Sequence, residues 1–151
     1  MENISPFKII GIAVETTNYN GKAAEDLGLL WKQFFNENVL GRIDNKLSGE
    51  IFAIYTDYAS DYKGNYKAII GLKVDSLATL TNDLIGQEFT GGNYKKFTAK
   101  GKLPGAVAET WKEIWERDKE LNRKYTADFE VYGDRSQNGE NAEVDIFIAV
   151  K

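Results

Sequence analysis

IFAIYTDY at residues 51–58 and ADFEVYGD at residues 127–134 are two versions of one pattern. Tyr55 and Asp57 of the first align with Tyr132 and Asp134 of the second. Both stretches alternate their side chains with the two-residue period of a β-strand. The copies depart most at one place, where Ala53 is answered by Glu130. A duplicated strand that gains one acid between apolar neighbours points to a symmetric scaffold carrying an asymmetric polar site.

The repeat extends outward from these strands. WKQFF (Trp31 to Phe35) matches WKEIW (Trp111 to Trp115), and IIGLKV (Ile69 to Val74) answers DIFIAV (Asp145 to Val150). Two copies with a period of roughly 80 residues mean internal duplication, because solenoids need three or more stacked repeats. The halves cover about 5–76 and 92–151, and no linker-like stretch divides them, so residues 1–151 are expected to form one domain.

Each half predicts strand, helix, strand, strand. In the first, Phe7 to Glu15 reads as a strand and Gly21 to Asn36 as a helix. That helix has Ala23, Leu27, Leu30, Trp31, Phe34 and Phe35 at helical spacing. Ile51 to Tyr58 and Tyr66 to Asp75 follow as a hairpin. In the second, Asn93 to Ala99 is a strand, and a helix runs from Pro104 to about Asn122. Ala127 to Tyr132 and Glu143 to Val150 form the last hairpin. The fold class is α+β. Both units are expected to share one antiparallel sheet, with the two main helices packed on one face.

Composition narrows the chemistry. The chain has 151 residues, a net charge of −4, and 13% aromatic residues. An acidic domain has no electrostatic reason to bind nucleic acid directly. No apolar run approaches membrane-spanning length, and MENISPFK at the N-terminus does not resemble a secretion signal. A cytoplasmic location is the expectation. With no His and no Cys, imidazole- and thiolate-based catalysis and the common zinc sites are excluded. No glycine-rich nucleotide fingerprint occurs, and no cofactor or metal is expected.

Alternation assigns faces. Phe52, Ile54, Phe129 and Val131 are expected under the helices, together with Ile70, Leu72, Val74, Ile146, Ile148 and Val150. Ala53, Tyr55, Glu130 and Tyr132 then point the other way, joined by Gly71 and Phe147. Small Ala53 and Gly71 leave room there, so this face combines one acid, several aromatics and a space. The alternative is the ordinary solvated face of an antiparallel sheet. Trp31, Trp111 and Trp115 suit a core or a groove wall, and Asp57 and Asp134 suit turn caps.

These segments together resemble the GyrI-like effector-binding family. The resemblance covers nearly the whole chain. It rests on FKIIGIAV, LLWKQFF, the AIYTDY…DYKGNYKAIIG hairpin, GGNYKKF, TWKEIW and DFEVY. The family includes the ligand-binding domains of regulators such as BmrR and Rob, and stand-alone integron-type proteins. The resemblance implies a non-enzymatic binder of lipophilic, cationic aromatic compounds in a cleft between the halves. The acid of its DFExY motif falls on Glu130, and its best-matched aromatic position falls on Tyr55. Tyr132, Phe147 and Trp111 join the candidate ligand-binding set from face and repeat. No helix-turn-helix precedes Phe7, so the chain is expected to act without its own DNA-binding segment. A regulator or gyrase is the protein partner that the resemblance suggests, and a gyrase-inhibitor-type interaction protein is one alternative. Hydrolysis of reactive small molecules, with Glu130 and a tyrosine as acid and base, stays open as the enzymatic alternative.

Overall fold

A computed structural model describes residues 1–78, 80–81 and 83–151. Eight strands form one antiparallel sheet: β1 (Glu2–Ile4), β2 (Phe7–Thr17), β3 (Ile51–Thr56), β4 (Asn65–Val74), β5 (Ile85–Phe89), β6 (Gly92–Lys100), β7 (Ala127–Tyr132) and β8 (Glu143–Ala149). Their spatial order is β1-β6-β8-β7-β3-β4-β2-β5. The helices are α1 (Lys22–Asn36), α2 (Val39–Arg42), α3 (Gly105–Glu116) and α4 (Asp118–Leu121).

The six strands and two long helices read from the sequence are present, in the expected order. β7 pairs with β3 at the centre of the sheet, so the two copies of the repeated strand lie side by side, with Ala53 opposite Glu130. The two short edge strands were not anticipated. β1 pairs with β6 and β5 with β2. Each lies just before one half in sequence but extends the sheet of the other half. These exchanged edges tie the two repeats together. The second helix is also shorter than its periodicity suggests. It stops at Glu116, resumes as α4, and ends where Asn122 adopts a left-handed conformation at φ 55°.

The helices cover one face. Leu30 and Phe34 of α1 and Val39 of α2 pack on Ile10, Ile12, Ile70 and Leu72. Val107 and Ile114 of α3 pack on Val144, Ile146 and Ile148. Here one assignment made from alternation is overturned. Phe52, Ile54, Phe129 and Val131 lie on the face away from the helices. The register decides this: Ala53 pairs with Ile70 and Glu130 with Ile146. The residues on the helix side are therefore Ala53, Tyr55, Glu130 and Tyr132. Alternation within each strand was read correctly. The phase between strands was not, because both faces are apolar and hydrophobicity cannot choose between them.

The second apolar face is buried because the sheet curls around it. β7 and β2 are three strand positions apart, about 14 Å on a flat sheet. Yet the rings of Phe129 and Phe7 approach to 5.3 Å between centroids. Phe52, Phe89 and Tyr94 complete this cluster. Gly11 and Gly71, which pair across β2 and β4, sit on the same inner face. A Cβ on Gly11 would lie 2.1 Å from the Ile70 carbonyl oxygen, and one on Gly71 would lie 2.4 Å from that of Ile10. Glycine therefore permits the close backbone approach. Gly71 leaves no room beside Glu130, since it faces the other way.

A buried Phe129 has a measurable consequence. Phe129 is 3% exposed, so Phe129→Ala is expected to cost about 3–5 kcal/mol in chemical denaturation. A cost below about 1 kcal/mol would mean that this face is not a core.

Candidate functional site

Glu130 sits at mid-strand in β7, at the junction of the two repeats, and is only 2% exposed. Its carboxylate accepts three hydrogen bonds. Oε1 accepts from the Tyr132 hydroxyl at 2.6 Å. Oε2 accepts from the Tyr55 hydroxyl at 2.9 Å and from the Trp111 indole N–H at 2.7 Å. Each donor comes from a different element. Tyr132 is two residues further along β7 and shares the face of Glu130. Tyr55 comes from β3. Trp111 comes from α3, which packs against the sheet through Val107 and Ile114.

All three donors are neutral. Among the described residues, no lysine or arginine forms an ion pair with Glu130. Burial pushes its carboxyl above the ordinary range, and the hydrogen bonds from Tyr132, Trp111 and Tyr55 partly counter that rise. The same burial, together with the nearby carboxylate, pushes the hydroxyls of Tyr55 and Tyr132 up. Both remain protonated donors at neutral pH.

Aromatic rings enclose the acid. Trp31 of α1 meets Tyr132 edge-on at 5.0 Å. Tyr55 meets Trp111 at 5.5 Å and Tyr66 at 5.8 Å, both nearly perpendicular. Trp111 neighbours Trp115, which stacks on Tyr62 at 5.9 Å. Trp31 and Trp111 therefore project from two helices, one in each half, toward the β3–β7 junction. Both are partly exposed, unlike the acid they flank.

Of the residues singled out from the sequence, Glu130, Tyr55, Tyr132 and Trp111 are brought together. Phe147 is not. It pairs with Phe129 across β7 and β8 and stacks on it at 4.9 Å, on the face away from Glu130. The register sets this too, because Ile146, not Phe147, lies opposite Glu130. Trp31, left in the sequence as core or groove wall, is a neighbour of the site.

The same strand face carries a second buried acid that is absent from the sequence-derived candidates. Asp128, 0% exposed, lies two residues before Glu130 and so on the same face. Its signal was the same alternation, visible as Asp-x-Glu in ADFEVY. Unlike Glu130 it is neutralised. Arg123 donates to it at 2.7 Å, the Tyr58 hydroxyl at 2.6 Å and the Ala149 N–H at 2.8 Å. Burial raises its carboxyl and Arg123 opposes that rise. Two acids on one strand face thus have opposite charge environments. Among the described residues, no group of three or more His, Cys, Asp or Glu side chains could hold a metal ion. Nor, among the described residues, is any helix long and apolar enough to cross a membrane.

This fold, a duplicated strand-helix-strand-strand sheet, is that of an effector-binding protein. The chain belongs to the integron-associated effector binding protein family, Cass2, whose model matches residues 1–150. It is 27% identical over 147 residues to the Bacillus subtilis (strain 168) protein named "Putative transcriptional regulator protein YobU", covering 95% of this chain and 92% of that one. The crystal structure of the Vibrio cholerae integron cassette protein VCH_CASS2 is similar at a TM-score of 0.77 and 28% identity, over 99% of this chain and 94% of that one. SAV2435 bound to tetraphenylphosphonium shares the fold at a TM-score of 0.82 and 20% identity, over 99% and 92%.

The Glu130 environment predicts a pH dependence. A carboxyl raised in the folded chain binds its proton more tightly there than in the unfolded chain. Its ionisation therefore lowers stability as pH rises from the ordinary glutamate value of about 4.3 through the raised one. Stability measured by denaturant titration is expected to shift in favour of Glu130→Gln over wild type across that window. A stability difference independent of pH would contradict the raised carboxyl.

Proposed function

We propose that this chain binds lipophilic organic cations between α1 and α3, with Glu130 supplying the charge that selects them. The observation that carries this reading is a buried carboxylate with three neutral donors and, among the described residues, no cationic partner. Such a group is held ready for a positive charge from outside. A bulky cation meets three favourable terms there. It neutralises Glu130 in a poorly hydrated setting, where charges interact more strongly than in water. The faces of Trp31, Trp111 and Tyr132 add about 0.5–2 kcal/mol per good cation–π contact. The rest comes from apolar area removed from water.

Tetraphenylphosphonium, the ligand of SAV2435, has this chemistry and supports the reading for a shared fold. A site built on charge and flat aromatic surface tolerates varied shapes, which fits broad specificity toward many compounds. Trp31 and Trp111 are partly exposed, and their displacement is the route by which a ligand reaches the acid. Hydrolysis has weaker support. Both oxygens of Glu130 already accept hydrogen bonds. Tyr55 and Tyr132 are pushed away from neutrality, so neither is matched to acid catalysis near pH 7.

Titration with tetraphenylphosphonium is expected to quench tryptophan fluorescence saturably. Glu130→Gln is expected to weaken binding at least tenfold, about 1.4 kcal/mol, while a neutral compound of similar shape binds both forms alike. Equal affinity of wild type and Glu130→Gln for the cation would overturn the role given to Glu130.

A further inference from the structure

A recess of about 220 Å³ opens on the face of the sheet away from the helices, among Phe7, Phe52, Phe129, Phe147, Lys73 and Glu50. It is separate from the Glu130 cluster, since Phe129 and Glu130 are consecutive residues on opposite faces of β7. Its floor is backed by a contiguous aromatic cluster, in which Phe129 lies 5.3 Å from Phe7, 5.8 Å from Phe52 and 4.9 Å from Phe147 between ring centroids; of these rings Phe147 is half-buried and the others are buried. The volume is below the roughly 300–1,000 Å³ of drug-sized pockets, so it suits a small metabolite.

The charges around this floor are partly committed and partly free. Asp145 lines the recess but already accepts from Arg135 at 3.1 Å and from the Thr98 hydroxyl at 2.9 Å. Lys73 is different. Its ammonium lies 5.4 Å from the centroid of Phe7 and 6.0 Å from that of Phe52, and no carboxylate among the described residues forms an ion pair with it. Glu50 likewise makes no ion pair. An aromatic floor therefore faces one uncommitted ammonium and one uncommitted carboxylate. A purely anionic guest would meet Glu50, and a purely cationic one would meet Lys73. A guest carrying both charges satisfies both.

The geometry points to a second small-molecule site here, for a zwitterion with an aromatic body, of the size and class of an aromatic α-amino acid. Its carboxylate pairs with Lys73, its ammonium with Glu50, and its ring packs against the half-buried Phe147, Val131 and Ile4 that line the recess. This site is independent of the cation site, and its test uses a readout that does not depend on tryptophan.

The test is a titration of the ¹⁵N-labelled full chain with L-phenylalanine, followed by amide NMR. Saturable shifts centred on Phe52, Lys73, Val131 and Phe147 are expected. The singly charged analogues 3-phenylpropionate and phenethylamine are each expected to bind at least tenfold more weakly. Lys73→Ala is expected to weaken phenylalanine binding at least tenfold, with an unchanged thermal midpoint, and Glu130→Gln is expected to leave it unaltered. Absence of saturable shifts would overturn the proposal. So would equal binding of either analogue, or unchanged binding by Lys73→Ala. Shifts that follow protein concentration without ligand would assign the recess to a second copy of the chain and would also overturn it.

Discussion

The structure depends on holding a carboxylate out of water without giving it a positive partner. Removing a charge from water costs several kcal/mol even after relaxation. The fold offsets this with three short bonds from Tyr55, Trp111 and Tyr132. Hydrogen bonds to charged groups contribute about 1.5–3 kcal/mol each, which is the scale needed to keep Glu130 buried. Asp128, on the same face of the same strand, shows the other solution. There a buried guanidinium accepts the role of counter-ion. The contrast separates an acid with a buried counter-ion from one held by neutral donors alone.

Meeting that constraint uses the whole duplicated scaffold. The donors come from both repeats, so they converge only if β3 and β7 pair in the observed register. That register is fixed by two apolar layers. Under the helices, Ile70 and Ile146 flank the site. On the other side, the sheet closes over Phe7, Phe52 and Phe129. The exchanged edge strands β1 and β5 and the glycine pair at positions 11 and 71 favour the curl that makes the second layer possible. Glu130 thus sits at the centre of a sheet with a core on both faces, beneath the two long helices.

Much of this was legible in the residues. The duplication, the strand-helix-strand-strand order and the special position of Glu130 follow from comparing residues 51–58 with 127–134. Tyr55 and Tyr132 follow from alternation within a strand, and Trp111 from the repeated helix motif. What depends on relations between strands was not legible. Phe147 was placed beside Glu130 because the phase of β8 relative to β7 cannot be read when both faces are apolar. Asp128 obeys the same alternation, but its pairing with Arg123 joins β7 to a connection with no repeat counterpart, which sequence comparison does not reveal. The edge strands ENI and IGQEF are short and carry little periodicity, so only pairing reveals them.

The central claim is that Glu130 is a buried acid awaiting a cation. The most direct test is a pH titration of the Glu130 side-chain carboxyl carbon by ¹³C NMR, with and without tetraphenylphosphonium. The account predicts a pKa above the ordinary glutamate value of about 4.3 in the free protein. It also predicts a fall when the cation binds, with release of the proton. An ordinary value in the free protein, or one that the bound cation leaves unmoved, would contradict it.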